Sequence, residues 1–257
     1  MIPRLAVSSA VSEEVKDFLQ TLEAHSEFQG EVDGAISSRL VLATDNSVYQ
    51  VLPQYVMPWF ENGKTFHVTG MLKHFAAIAH KHSLNLRKIK AHGLPMVGLD
   101  PTMVLTFRYD YTKVLNEPLD FEVLLIQEWL FQQMSAHESP QPAPPDIPSE
   151  YLLLNHCTEQ ANLSEALEQW QRVFSYFGLK LFPQKTGCCG MAGAYGHESK
   201  HQNQSRGLFE LSWKPYFKED ALLATTLVDG YSCRAQIKRY TGLQAKHPVE
   251  ILLKALN

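Results

Sequence analysis

Three short apolar runs in the second half of the chain constrain its fold most: "YLLLNHC" from Tyr151, "KLFP" from Lys180 and "ALLATTLV" from Ala221. The first and third lack the apolar–polar alternation of a sheet with one wet face, so they suit strands covered on both sides. Helical stretches separate the runs, and strands alternating with helices indicate an α/β fold, a layered parallel sheet with helices on both faces. Each run leads into cysteine. Cys157 ends the first, Cys188 and Cys189 follow the second, and Cys233 follows the third through Gly230. In open parallel sheets the carboxyl ends of the strands gather on one edge, where ligands bind. The pattern therefore predicts four thiols, remote in sequence, at a single rim.

The remaining segments fit around this frame. Ser12 caps a first helix with Val15, Phe18, Leu19 and Leu22 on one face, and "RLVLATDNSVYQVLP" reads as short extended pieces about a turn at Asp45, Asn46 and Ser47. "PQYVMPWFENGK" reads as loop. Met71, Leu72, Phe75, Ile78 and Ala79 have helical spacing in a helix running from about Val68 to Ala91, with Gly93 just past its end. "PMVGL" reads as a buried strand, Asp100-Pro101 starts a helix, and "FEVLLIQEWLFQQM" reads as a third helix. "SAHESPQPAPPDIPSE" carries five prolines and reads as a linker. Beyond it, helices are predicted over residues 164–177 and 199–213, from Arg234, and after His247-Pro248. Trp170, Phe174, Phe209 and Trp213 fall at core positions.

Composition narrows the function classes. The 257 residues carry a net charge of −4, without the basic surplus of a nucleic-acid binder. No apolar run approaches the ~20 residues that span a bilayer, and "MIPRLAVSSAVSEEVKDF" lacks the apolar core of a signal peptide. The cytoplasm is the expected compartment. Four cysteines are too few for a disulfide scaffold in so long a chain, and in a reducing compartment clustered cysteines serve as metal ligands or redox thiols.

"TGCCGMAGAYGHE" places half of these thiols side by side between Gly187 and Gly190. Such glycines permit positive φ or a close approach of backbone to a bulky inorganic cofactor. Four thiolates can hold an iron–sulfur cluster or a tetrahedral zinc ion. Zinc sites favour Cys-x-x-Cys knuckles, absent here, and adjacent side chains diverge, which a larger cluster accommodates more easily. Buried thiols without function and a strained Cys188–Cys189 redox pair are the competing readings. His156, His197 and His201 lie near the cysteines as candidate ligands, proton carriers or residues that fix the loops by hydrogen bonds. Tyr195, Tyr231 and Arg234 are candidates to line the site or donate to its sulfurs, alongside plain packing and solvation.

"NHCTE", "TGCCGMAGAYGHE", "GYSCRAQIKR" and "HPVEILLKAL" together resemble the C-terminal cysteine-rich CCG domain of bacterial FAD-linked D-2-hydroxyglutarate dehydrogenases of the YdiJ type. Related domains occur in heterodisulfide reductase and in the iron–sulfur component of glycolate oxidase. The resemblance covers residues 60–257. It implies metal ligation by Cys157, Cys188, Cys189 and Cys233, with Gly187, Gly190 and Gly230 against the cofactor. The first cysteine of the family's final Cys-x-x-Cys falls on Gly230 here, which sets a five-thiolate cluster aside in favour of a four-cysteine (4Fe-4S) cluster or zinc.

"FLQTLEAHSEFQGEVDGAISSRLVLATDNSVYQVLPQYVMP" is similar to the opening of the FAD-binding domain of the same dehydrogenases, without the glycine-rich loop that would hold the flavin pyrophosphate. The resemblance implies four stretches: a flavin-domain fragment over 1–57, an incomplete first half of the CCG region over 58–136, a linker over 137–150, and a second half over 151–257. The chain looks like two ends of a longer enzyme joined, with the first strand of the CCG region missing and a sheet edge left open. The implied function is electron transfer by an iron–sulfur cluster, with neither FAD binding nor substrate oxidation by this chain alone, and a flavoprotein or iron–sulfur chain as partner. The alternative is a structural or docking module, with zinc or no metal at the cysteines, which pairs with a partner or with itself.

Overall fold

The computed structural model describes residues 62–91, 93, 95–135, 142–217 and 224–256, together with the backbone of 41–44, 47–52 and 55–59. The helix expected after Ser12 and most of the flavin-like segment lie outside the described residues.

Two sheets carry the architecture. The first has five strands in the order β1 (Val41–Thr44), β2 (Ser47–Leu52), β3 (Tyr55–Trp59), β4 (Met96–Gly98) and β5 (Val123–Leu125). Thr44 pairs with Ser47, β2 runs antiparallel to both β1 and β3, and β3, β4 and β5 run parallel. The second sheet is wholly parallel, with β6 (Glu150–Leu154) between β7 (Lys180–Pro183) and β8 (Thr226–Val228). The α/β class read from the apolar runs is the class observed.

Several elements depart from the sequence reading. The segment read as loop around Tyr55 is β3, and Val56 pairs with Met96. One edge of β4 is thereby covered. Pro58, which has no N–H to donate, lies beyond that one register pair, where the β3–β4 ladder has ended. The helix expected from about Val68 to Ala91 is α2 (Leu72–Lys90), and a short helix not expected there, α1 (Lys64–Val68), precedes it across Gly70, whose φ is 77°. Val123 to Leu125, read as the start of a helix, is β5, and α5 begins only at Ile126 (Ile126–Ser135). A continuous apolar run has the same appearance in a buried strand and a buried helix. Pairing of Met96, Val97 and Gly98 with Val123, Leu124 and Leu125 decides between them.

Between these strands, Asp100 caps α3 (Pro101–Leu105) by accepting from Met103 N, with Pro101 in the first turn. One π-helical turn follows, then α4 (Tyr111–Leu115). In the second half, α6 (Cys157–Asn162) and α7 (Ala166–Tyr176) join β6 to β7. Helix α8 (Gln202–Ser212) precedes β8, α9 (Tyr231–Thr241) follows it, and α10 (Pro248–Leu256) closes the chain.

One apolar cluster unites the two sheets. Val97, Ile126, Trp129 and Leu130 pack with Tyr151, Leu153, Trp170, Phe174 and Leu252. Trp170, Phe174 and Trp213 are fully buried, and Phe209 nearly so, as their helical spacing predicts. The rim of the second sheet is therefore held against the β4–α3 turn of the first.

Candidate functional site

The carboxyl ends of β6, β7 and β8 deliver the four cysteines. Strand β6 ends at Leu154, three residues earlier than expected. Cys157 is thus the first residue of α6 rather than the last of a strand. Cys188 and Cys189 lie in the loop after β7. Helix α9 begins at Tyr231, before the expected Arg234, so Cys233 sits in its first turn, near the positive end of the helix dipole. Cys189 and Cys233 are buried, and Cys157 and Cys188 are partly exposed.

The four side chains come close enough to influence one another: Cys188 neighbours Cys157 and Cys189, and Cys233 neighbours Cys189. Bonds from Cys157 and then Cys189 pull the Cys188 thiol far below its usual range, helped by the N–H groups of Gly190 and Ala192 and opposed by burial. The same contact with Cys188, followed by burial, pushes Cys157 up. Contacts with Cys188 and then Cys233, together with burial, push Cys189 up. Cys188 is thus the thiol of the group most disposed to lose its proton.

The loop is shaped from below. Gly190 has φ of 90°, and a Cβ there would lie 2.2 Å from the Ser205 carbonyl oxygen, so only glycine fits. Gly187, expected to need similar freedom, does not have positive φ, and a Cβ there would meet only Ser212, with Oγ at 3.3 Å. Its carbonyl accepts from Trp213 Nε1 at 2.8 Å. Gln236 Nε2 donates to the Cys189 carbonyl at 3.1 Å and to Ser205 Oγ at 2.8 Å, and Ser205 Oγ donates to the Gly190 carbonyl at 2.8 Å. Gln236 and Ser205 are completely buried, so this polar knot fixes the backbone that carries the cysteine pair.

A second polar group lies behind Cys157 and Cys233. Asp229 Oδ1 accepts from His156 N at 2.8 Å, and Gln127 Nε2 donates to Glu159 Oε1. The remaining oxygens, Glu159 Oε2 and Asp229 Oδ2, are buried with no hydrogen-bond donor among the described residues, and the two carboxyls lie close enough to influence each other. Burial, then the Asp229 charge, holds the Glu159 carboxyl well above the usual carboxylate range. Burial also raises Asp229, against the hydrogen bond from Glu159. A single proton held between the two carboxyls would satisfy both groups, in keeping with the upward direction of both shifts.

His156 caps α6, its Nδ1 accepting from Thr158 N at 3.1 Å. An N–H can only donate, so the ring proton sits on Nε2, which faces Thr102 Oγ1 at 3.2 Å and Ser232 Oγ at 3.3 Å. Of the three candidate histidines, His156 thus fixes loop geometry. His201 stacks on Tyr195 with ring centroids 3.9 Å apart, and His197 lies in the adjoining 3₁₀ turn. Arg234 donates to the Val228 and Asp229 carbonyls rather than to a sulfur. Tyr231 is exposed, and its N–H donates to Asp100 Oδ2 at 2.9 Å, so Asp100 serves two helix starts.

Asp100, Thr102, Glu159, Ser205, Asp229 and Gln236 were not singled out from the sequence. Asp229 alone left a signal there, an acid directly after a buried apolar run, where solvent cannot reach it.

No protein-family model matches the chain. It is 42% identical over 200 residues to D-2-hydroxyglutarate dehydrogenase of Pseudomonas putida, a match covering 78% of this chain and 19% of that protein. The chain is related to a segment of a dehydrogenase. The enzyme of the same name from Escherichia coli is also 42% identical, over 205 residues. One component of the anaerobic glycerol-3-phosphate dehydrogenase of Escherichia coli is 25% identical over 167 residues, 64% of this chain and 41% of that component. The chain spans about one fifth of the length of the D-2-hydroxyglutarate dehydrogenases it matches. Among the described residues, no helix is long and apolar enough to cross a membrane.

Proposed function

We propose that this chain is the electron-transfer portion of an FAD-linked 2-hydroxyacid dehydrogenase system, and that Cys157, Cys188, Cys189 and Cys233 hold an iron–sulfur cluster. The observation that carries this reading is the meeting of four thiols from three loops at one edge of a parallel sheet. The donor set fits a cluster, whose iron atoms are held by cysteine thiolates. It fits one zinc ion less well, because no group of three or more His, Cys, Asp or Glu side chains among the described residues is arranged to hold a single ion. In a cluster each thiolate takes its own iron, so the sulfurs need not surround a common point.

When bound, the cluster supplies one-electron transfer at a potential set by its surroundings. The protein's part is positional. Cys188 is already disposed to lose its proton, and loading requires Cys157 and Cys189 to release theirs. The knot of Gln236 and Ser205 holds the cysteine pair still, and the shared proton of Glu159 and Asp229 ties Cys157 to Cys233 from behind. Flavin binding and substrate oxidation fall to parts of the dehydrogenase outside the fifth that this chain spans.

Metal analysis of anaerobically purified protein tests the reading. Brown protein with roughly four irons and four acid-labile sulfides per chain supports it, and Cys189→Ser then loses both. Colourless protein with stoichiometric zinc, or with no metal, overturns it in favour of a structural or docking module.

A further inference from the structure

Gly230 presents a puzzle that the four cysteines do not absorb. Its φ of −74° and ψ of 126° are open to any residue, so its backbone does not demand glycine. Space does. A Cβ at 230 would lie 2.6 Å from His156 Cδ2, 3.2 Å from His156 Cβ and 3.2 Å from Cys233 Sγ. A side chain at this position would thus point into the cysteine site, and the His156 ring already fills that volume.

The ring cannot easily yield. It is 6% exposed, its Nδ1 caps α6, and its Nε2 faces hydroxyls on α3 and α9. The backbone N–H of His156 is held by Asp229. Three helix starts therefore converge on one imidazole, and two of those helices carry Cys157 and Cys233.

We propose that His156 and Gly230 are a matched pair that closes one wall of the cysteine site, with His156 as a positioning residue and Gly230 as the void that admits it. The pairing fixes the protein ligands at four sulfurs, a consequence that rests on the cluster reading above. A thiol placed at 230 adds no fifth ligand while the imidazole is present. Removing the imidazole admits one.

The test is a double-mutant cycle in the full chain, purified anaerobically. Gly230→Ala lowers Tm by about 5 °C through overpacking. His156→Ser keeps a capping side chain, and in the Gly230→Ala/His156→Ser protein most of the Gly230→Ala loss, measured against His156→Ser alone, disappears. Equal losses in the two backgrounds, or a Gly230→Ala protein as stable as the parent, overturn the pair whatever metal is present.

The second arm reads the iron centre by electron paramagnetic resonance of the reduced protein. Gly230→Cys with His156 intact keeps the parent signal or loses iron, whereas Gly230→Cys/His156→Ser acquires a signal unlike that of the parent or of His156→Ser. A double variant that matches His156→Ser refutes the claim about ligand number. A parent without iron refutes the cluster reading and the ligand-number claim with it, and the Tm cycle then decides the steric pair alone.

Discussion

Asp229→Ala removes the carboxylate that accepts from His156 N and neighbours Glu159. Asp229 is 1% exposed, and Glu159 is completely buried. Alanine strands the His156 N–H, which loses a bond to a charged acceptor, and strands the Glu159 carboxyl. The two losses together cost about 3–5 kcal/mol. Asp229→Asn behaves differently. Its Oδ1 still accepts from His156 N, and its amide donates to Glu159 without needing the shared proton, so the cost is about 1 kcal/mol or less. Urea denaturation of the two variants beside the parent separates these outcomes.

The pH dependence supplies an independent sign. The Glu159 carboxyl lies well above its ordinary range in the folded chain, so the native state keeps a proton that the unfolded state releases. That stabilisation is complete below the unfolded carboxyl pKa and fades as pH rises toward the folded one, at about 1.4 kcal/mol per unit. Asp229→Asn flattens this decline, because Glu159 can then ionise against an amide. An asparagine variant as damaged as the alanine variant, with an unchanged pH slope, would refute the shared proton.

Other perturbations give contrasting outcomes. Gly190→Ala forces φ of 90° on a side chain and drives its Cβ into the Ser205 carbonyl, costing several kcal/mol, on the order of 3; Gly187→Ala costs about 1 kcal/mol or less, as calorimetry of the pair would show. Burial, then the charge of Arg234, holds His247 well below its usual pKa. It therefore stays unprotonated in the fold while the unfolded chain gains a proton, and stability falls as pH drops below about 6.5. His247→Gln should soften that acid limb in a pH series of Tm values. Arg172→Ala breaks an exposed pair with Glu168 and should change stability by about 0.5 kcal/mol or less in the same assay.

The rim was legible because it follows from chain order. An apolar run such as Tyr151 to Leu154 fixes a strand, and direction in a parallel sheet fixes which end of that strand presents its loop. The meeting of Cys157, Cys188, Cys189 and Cys233 needed little more. Val123 to Leu125 misled because continuous apolarity carries no period, so β5 was indistinguishable from the helix that follows it. Tyr55 to Trp59 misled because two prolines flank and interrupt it, although it pairs with the neighbouring Ser47–Leu52 and, some forty residues away, with Met96.

The supporting polar groups were hidden for a different reason. Glu159 and Gln236 sit on helices where a surface position is the ordinary assumption, and contacts of Glu159 with Gln127 and Asp229, and of Gln236 with Ser205 and the Cys189 carbonyl, make their burial tolerable. Gly230 and His156 looked unrelated, since their complementarity is one of volume, which sequence spacing does not encode.

Iron-edge X-ray absorption of anaerobically prepared protein tests the central claim most directly. Sulfur-only coordination with neighbouring iron atoms, lost together in Cys157→Ser and Cys233→Ser, is the predicted result. Iron bound by nitrogen or oxygen without iron neighbours, or no iron at all, would contradict it.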